Sequence, residues 1–322
     1  MKIGISYWGF CESFEDCRLS QTPDGHRYGR PLLVDELVRR GHEVYALQQR
    51  RESKPYQGLI YDECGYPDLD IVFVEWRWPT YKNSGPDKFE TDLDRQSSLL
   101  DYYCGKVPVV AWDTDLKMTP EDEARWPEMI VADPTLDPES FRIPRVKMTF
   151  WSDFRPLLPA SEGSVEFGYV GNNYERKDMF AKYYSLPSQR LRSVGIQTKV
   201  WGNWLQRSPE REQPEELISL HPYIAFSDRV GFYDSMHILN NFIATVHITK
   251  PRYARQGFVS PRYLENIVVR TPALVPCEFA YSDILGSEWK VGRESSDTAD
   301  AVHMLKSASA SKREQVVLQQ QD

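Results

Sequence analysis

The sequence has few cysteines, no long apolar run and no leader-like start. Its five cysteines in 322 residues include no CxxC pair, which argues against a disulfide scaffold and against structural zinc. No apolar run approaches the roughly 18 residues of a membrane-spanning helix. The first residues also lack the apolar stretch of a secretory signal. The composition therefore predicts a cytoplasmic protein with no membrane partner and no metal site.

A strong basic excess is absent as well. The pI of about 5.4 and the net charge of −8 remove the simplest signature of nucleic-acid binding, a strongly basic domain. The charge is uneven, however. Residues 1–141 hold 16 Lys+Arg against 27 Asp+Glu, a net of −11, whereas residues 142–262 hold 17 against 11, a net of +6. The basic middle part suits a phosphorylated ligand, although chance clustering on a solvated face is the plainer reading of charge alone.

Short apolar runs alternate with helical patterns along the chain, which is typical of α/β proteins. Near the start, a strand at residues 2–7, a helix at 29–41 and a strand at 42–47 form a strand–helix–strand unit, which requires a parallel sheet. The other predicted strands are 70–75, 107–112, 129–132, 146–150, 165–171, 196–201, 242–248 and 272–276. The other predicted helices are 173–193, 234–242 and 260–270.

Proline, serine and glycine cluster near residues 151–164, which indicates a linker between two halves. We therefore expect a Rossmann-like domain at residues 1–155, a second one at 165–300 and a C-terminal helical tail at 301–322. Two doubly wound domains place a ligand at the carboxyl ends of both sheets. That architecture serves many chemistries, so the residues must decide the function.

The first candidate motif is GYVGNNYERK, residues 168–177, where a predicted strand ends and a predicted helix begins. Glycine there lets backbone amides approach a ligand, and a helix N-terminus favours phosphate. Arg176 and Lys177 add cationic donors. The motif is neither a P-loop nor a GxGxxG fingerprint, and a tight turn with two surface cations explains it equally well.

The second candidate motif is SPRYLE, residues 260–265. Arg262 and Glu265 share one helix face, so that a guanidinium for phosphate and a carboxylate for two ribose hydroxyls lie together. An ordinary intrahelical ion pair is the competing interpretation.

Together, in this order, the two motifs resemble the nucleotide-binding domain of GT-B glycosyltransferases. In detail they are similar to the CgeB-like glycosyltransferases and the phage DNA glucosyltransferases. FGYVGNNYERKDMF, LRSVGIQTKVWGNW, YDSMHILNNFIATVHIT and GFVSPRYLENIVVRTPALVP carry the resemblance over about residues 165–280. The first half matches only in general form, through its Gly9 loop and GRPLLVDELVRRGHEVYAL.

The resemblance implies two Rossmann-like domains facing across a cleft and a UDP-sugar donor such as UDP-glucose. By family pattern Glu265 binds the donor ribose, and Arg262 with Arg176 holds the diphosphate. Because cationic side chains and helix dipoles stabilise the departing diphosphate in such enzymes, no metal is obligatory. The donor-binding set is completed by four neighbours in the matching loops: Gly9, Gly171, Asn172 and Tyr263.

Transfer to a hydroxyl acceptor needs a general base. Candidate carboxylates follow first-half strands, Glu75 after DIVFV and Asp113 and Asp115 after VPVVAW, at positions that face a ligand in such sheets. The two aspartates also fit as caps of the following helix. His26, in the polar loop after the first strand, is a weaker candidate, since a lone loop histidine is usually solvated.

Aromatic and basic residues that alternate are candidates for the acceptor. Trp76, Arg77, Trp78 and Lys82 follow the strand that ends at Glu75, where rings stack on sugars or bases and cations reach phosphate. Packing of this loop onto the sheet is an equal alternative. Arg252 and Arg255, in KPRYARQG, are the further acceptor candidates.

Glycosyl transfer from a nucleotide sugar is the leading hypothesis. Hydroxymethylated pyrimidines in double-stranded phage DNA fit best as the acceptor, with the base flipped out of the duplex. The acidic first half instead favours a saccharide, protein or small-molecule acceptor. A third hypothesis is a non-catalytic module that binds a nucleotide sugar. If the chain is phage-encoded, the host cytoplasm is the expected location.

Overall fold

The computed structural model describes residues 1–7, 10–14, 29–47, 56–62, 65–76, 90–136, 145–150, 158–159, 161, 163–207, 213–286, 289–292 and 294–321. These residues form two units, one up to Phe150 and one from residue 158 onward. No helix in these ranges is long and apolar enough to cross a membrane.

The described residues of the first unit form seven parallel strands in the order β3-β2-β1-β4-β5-β6-β7. Its central strands bury their side chains on both faces, as in Ile5 and Val74, which explains their nearly continuous apolar sequence. The order reverses between β1 and β4, and this is the switch point where open α/β sheets bind ligands. The strands are β1 (Lys2–Ser6), β2 (Glu43–Ala46), β3 (Leu59–Tyr61), β4 (Ile71–Glu75), β5 (Val109–Trp112), β6 (Ile130–Asp133) and β7 (Arg145–Lys147).

In the described part of this unit, the α-helices between the strands are α1 (Gly29–Arg39), α2 (Glu90–Tyr103) and α3 (Pro120–Arg125). Leu99 and Leu100 of α2 belong to the core that also contains Trp76 and Trp126. Thr119 begins α3 with a capping box, which satisfies backbone donors at both ends of the first turn.

The second unit repeats the same design. Its strands form two three-stranded parallel sheets, β10-β9-β8 and β11-β12-β13. A bridge between Glu166 and Phe242 joins them, and the Ile243 N–H donates to the Glu166 carbonyl at 2.7 Å. The joined order matches the first six strands of the other unit, with its switch point between β8 and β11. The strands are β8 (Glu166–Val170), β9 (Gln197–Trp201), β10 (Ile224–Ser227), β11 (Thr245–Val246), β12 (Ala273–Pro276) and β13 (Lys290–Val291).

The helices of the second unit are α4 (Lys177–Phe180), α5 (Leu186–Ser193), α6 (Pro214–Leu220), α7 (Phe232–Asn240), α8 (Pro251–Arg255), α9 (Pro261–Val268), α10 (Ser282–Gly286), α11 (Ser295–Ser307) and α12 (Ala310–Gln321). A π-helical turn at Ala181–Ser185 separates α4 from α5. Pro261 fits the first position of α9 because the proline nitrogen needs no helical partner there. The side chain of Gln320 in α12 hydrogen bonds both the N–H and the carbonyl of Ala273, which fastens the last helix to the sheet.

We predict that Gly168→Ala destabilises the second unit more than Gly4→Ala destabilises the first. A Cβ at Gly168 would lie 2.5 Å from the Lys199 carbonyl oxygen, whereas a Cβ at Gly4 would meet only the side-chain ends of Leu69 and Leu47. Backbone in a sheet moves less easily than a leucine methyl, so overpacking costs about 1–3 kcal/mol at Gly168. Urea denaturation of both variants measures the difference; equal losses would contradict the argument.

Candidate functional site

The carboxyl ends of β8 and β11 lie at the switch point of the second sheet, and the predicted donor residues follow these strands. In a parallel sheet every such end opens onto one edge, so the loop after β8, the loop after β11 and the start of α9 lie along that edge. The sequence-predicted residues on this edge are Gly171, Asn172, Arg176, Arg252, Arg255, Arg262, Tyr263 and Glu265.

Arg176 folds back over the loop that precedes it. Its Nη1 donates to the Asn172 carbonyl at 3.1 Å and reaches the Tyr174 carbonyl at 3.5 Å. Its Nε is buried, and no partner for it occurs in the described part of the chain. A guanidinium held at one corner with a donor left over is suited to bind an oxyanion.

Arg262 and Glu265 lie one turn apart near the start of α9. Their side chains form an ion pair, with 19% and 7% of the side-chain surface exposed. The competing interpretation of this motif, an intrahelical pair, therefore describes the structure. Their expected roles toward diphosphate and ribose stay predictions, and both require that the pair separates to accept a ligand.

Tyr263 points away from the surface. The residue is 2% exposed, and its hydroxyl donates to the Leu285 carbonyl at 2.5 Å. Its ring meets the imidazole of His247 edge-on, with centroids 5.4 Å apart. The expectation that this side chain contacts a donor is not supported by its geometry; it packs α9 onto the sheet instead.

Basic residues of α8 border the same edge. Lys250, which precedes this helix, donates to Glu175 Oε1 at 3.0 Å and lowers the pKa of that carboxyl. Arg252 lies over the ring of Tyr253 at 4.8 Å, and Arg255 is exposed. Lys250 thus ties α8 to the Arg176 loop, and Arg255 presents its charge to solvent.

His247, directly after β11, is a residue that sequence reasoning missed. It is buried against Tyr263 and Phe279. Burial lowers its pKa to about 4, and the positive charge of Arg176 adds to this effect. The imidazole is therefore neutral at pH 7. No sequence signal singled it out, because VHIT continues an apolar strand pattern.

Glu75, at the end of β4 in the first unit, is fully buried. Its Oε2 accepts from Arg30 Nη2 at 2.7 Å, and its Oε1 accepts from Thr114 Oγ1 at 3.1 Å. Arg30 also donates to Ser13 Oγ at 3.0 Å. The expected role as a catalytic base does not fit, because a carboxylate paired on both oxygens below the surface is not available to an acceptor.

Asp113 is buried in the turn after β5. Its carboxylate accepts from the N–H groups of Lys117 and Met118 at 2.8 and 3.0 Å, and from Arg145 Nη1 at 3.1 Å. Burial raises the pKa of this carboxyl against the opposing effect of these bonds. Asp113 holds the turn and caps no helix, since Thr119 caps α3. It does not fit the expected base.

Asp115 lies in the turn that Asp113 holds. Its side chain is 32% exposed, and Lys117 Nζ lies 3.6 Å from its Oδ2. The next residue, Leu116, has a φ of 52°, so the turn is sharp and presents Asp115 outward. Among the described candidate bases, Asp115 is the carboxylate that reaches solvent.

Trp76 is buried against Trp126, with ring centroids 5.9 Å apart. The expectation that it stacks on an acceptor is wrong, because the ring forms part of the core under α2. Gly9, His26, Arg77, Trp78 and Lys82 lie outside the described residues.

Within the described residues, no group of three His, Cys, Asp or Glu side chains could hold a metal ion.

The fold is that of the GT-B glycosyltransferases, as the sequence resemblance implied. The structure of T4 phage BGT in complex with UDP and Mn²⁺ matches with a TM-score of 0.65, at 15% identity over 100% of this chain and 94% of the other. A T4 phage α-glucosyltransferase, in complex with UDP and a 13-mer DNA containing an HMU base, matches with a TM-score of 0.61, at 12% identity over 99% and 94%. The O-GlcNAc transferase of Thermobaculum terrenum matches with a TM-score of 0.59, at 14% identity over 100% and 63%.

No protein-family model and no curated protein sequence matches this chain.

We predict that Arg30→Ala lowers the free energy of unfolding by about 3–5 kcal/mol, because it leaves the Glu75 carboxylate buried without its counter-charge. Chemical denaturation measures the loss. Arg39→Ala is the matched control: its partner Glu36 is exposed, so solvent screens that pair and the unfolding midpoint stays nearly unchanged. Similar losses in both variants would show that the buried Arg30–Glu75 pair affects the free energy of unfolding no more than the exposed Arg39–Glu36 pair.

Proposed function

We propose that the protein transfers a sugar from a UDP-sugar to a hydroxyl group of an acceptor. The observation that carries the proposal is the set of cationic and hydroxyl-binding groups at the switch point of the second sheet, Arg176 above β8 with Arg262 and Glu265 at the start of α9. The GT-B fold over the full length, shared with glycosyltransferases, supports the same conclusion.

The donor occupies the edge formed by the Arg176 loop and α9. Its diphosphate replaces Glu265 as the partner of Arg262. A diphosphate oxygen also accepts a hydrogen bond from Arg176 Nε. The released Glu265 carboxylate accepts hydrogen bonds from the ribose hydroxyls. As the sugar leaves, negative charge grows on the diphosphate, and the two guanidinium groups together with the N-terminus of α9 stabilise it.

Asp115 is the general base in this proposal. Its carboxylate is solvent-accessible and stands on a turn that Asp113 and Arg145 hold firmly. The acceptor hydroxyl gives its proton to Asp115 while its oxygen bonds to the anomeric carbon and the bond from that carbon to the diphosphate breaks. A base on a fixed turn keeps this proton transfer aligned.

Hydroxymethylated pyrimidines in double-stranded DNA are the acceptor we favour. The match to the phage glucosyltransferases spans both chains nearly completely, and one of those proteins was solved with DNA that contains an HMU base. The exposed Arg255, near the donor edge, suits a DNA phosphate. Action on phage DNA places the protein in the cytoplasm of an infected host.

A saccharide, protein or small-molecule acceptor is the second candidate. Residues 1–141 carry 16 Lys+Arg against 27 Asp+Glu, a net of −11, and this charge repels DNA unless the acidic side chains face away from it. The same fold occurs in an O-GlcNAc transferase.

Arg176→Ala is expected to weaken binding of UDP about 10- to 100-fold and to leave binding of uridine unchanged, since a charge-assisted hydrogen bond contributes about 1.5–3 kcal/mol. Isothermal titration with both ligands checks this. Equal losses for uridine and UDP would contradict a phosphate role.

The acceptor is tested with a panel of labelled UDP-sugars and plain or hydroxymethylated duplexes. We expect label on the hydroxymethylated duplex alone, loss of transfer in Asp115→Asn with UDP binding retained, and DNA affinity that falls about tenfold or more between roughly 50 and 200 mM salt. Donor turnover without transfer to DNA at low salt would favour the second candidate. Binding of UDP without turnover of any donor would indicate a non-catalytic module.

A further inference from the structure

A reciprocal pair of asparagines fastens the Arg176 loop to the turn after β9. The Asn203 N–H donates to Asn172 Oδ1 at 3.1 Å, and the Asn173 N–H donates to Asn203 Oδ1 at 2.9 Å. We call Asn172 and Asn203 with these two bonds the asparagine clasp. Each side chain satisfies a backbone donor of the other loop, so that the two loops hold a fixed position relative to each other.

Gly202 and Trp204 bring the two loops close enough for the clasp. Trp204 Nε1 donates to the Gly171 carbonyl at 2.7 Å. Gly202 has a φ of 152°, and a Cβ there would lie 2.2 Å from the Gly171 oxygen, so no larger residue fits. The ring of Trp204 is buried with its centroid 4.2 Å from that of Phe180, which anchors the turn in the core.

The clasp is connected to Arg176 through Asn172. Asn172 is held through its side chain by Asn203, and its carbonyl accepts from Arg176 Nη1 at 3.1 Å. The Asn172 carbonyl is therefore the nearer of the two acceptors that position the guanidinium, the other being the Tyr174 carbonyl. Asn203 itself is buried, so it acts through Asn172.

We propose that Asn203 is a positioning residue that aims Arg176 at the diphosphate of the nucleotide sugar. This rests on the proposed function. Without the clasp the loop samples several positions, and the free energy needed to order the loop weakens binding of the diphosphate. The nucleoside half of the donor does not depend on Arg176, so its binding is spared.

The test compares UDP with uridine by isothermal titration of the full chain. Asn203→Ala removes the acceptor for the Asn173 N–H, and Asn172→Ala removes the acceptor for the Asn203 N–H. We expect each to weaken UDP binding about 5- to 10-fold, the size of one hydrogen bond, and to change uridine binding by less than about twofold. The double variant should bind UDP only slightly less tightly than either single variant, because each single substitution already disrupts the asparagine clasp.

Asn240→Ala is the matched control. Asn240 Nδ2 bonds the carbonyls of Pro159 and Val269 in the same unit, at 2.8 and 2.7 Å, so its loss lowers Tm and leaves UDP affinity intact. A folded Asn203→Ala protein with wild-type UDP affinity overturns the positioning role alone, as do equal losses for uridine and UDP. A wild-type protein that binds no UDP overturns the proposed function together with it.

Discussion

The paired strands of both units run parallel, and this pairing decides where the connecting helices begin. A parallel connection must return the chain to the same edge before each new strand, so all carboxyl ends open on one edge and all helices that follow them begin there. Both units use the order that grows outward from a central pair, β1 with β4 and β8 with β11. At that pair the connections diverge. Arg176 follows β8, and the helix with Arg262 and Glu265 comes between β11 and β12, whereas Asp115 follows β5.

The charged residues at the carboxyl ends of the strands have different surroundings in the two units. In the first unit, Glu75 and Asp113 are buried and matched by Arg30 and Arg145. Such pairs contribute little net stability when intact, but they fix the turns that contain them, since breaking one leaves a charge in a medium of low polarity. In the second unit, Arg176 Nε is buried without a partner among the described residues. In the first unit, the partly exposed Asp115 lies beside Lys117 on the turn that Asp113 holds.

Much of the fold could be read from the sequence. Apolar runs predict the strands β1, β2, β4, β5, β6, β8, β9 and β12, because strands buried on both faces carry such runs. The predicted strands at 146–150 and 242–248 overlap the short strands β7 and β11. Three edge or short strands were missed: β3, β10 and β13. They have few residues and one exposed face, as Ile60 shows, so their pattern does not differ from that of a loop. The helix predicted at 173–193 is interrupted by a π-helical turn that helical periodicity does not reveal.

The α/β class and the two candidate motifs can be predicted from the sequence, because each depends on residues close together in the chain. Tertiary structure alone decided how each side chain is used. It buried Glu75, Asp113 and Trp76, left Asp115 partly exposed, and paired Asn172 with Asn203 across 31 positions of sequence. Burial and long-range hydrogen bonds depend on which strands become neighbours, and a local sequence pattern holds no information about a residue's partner in space.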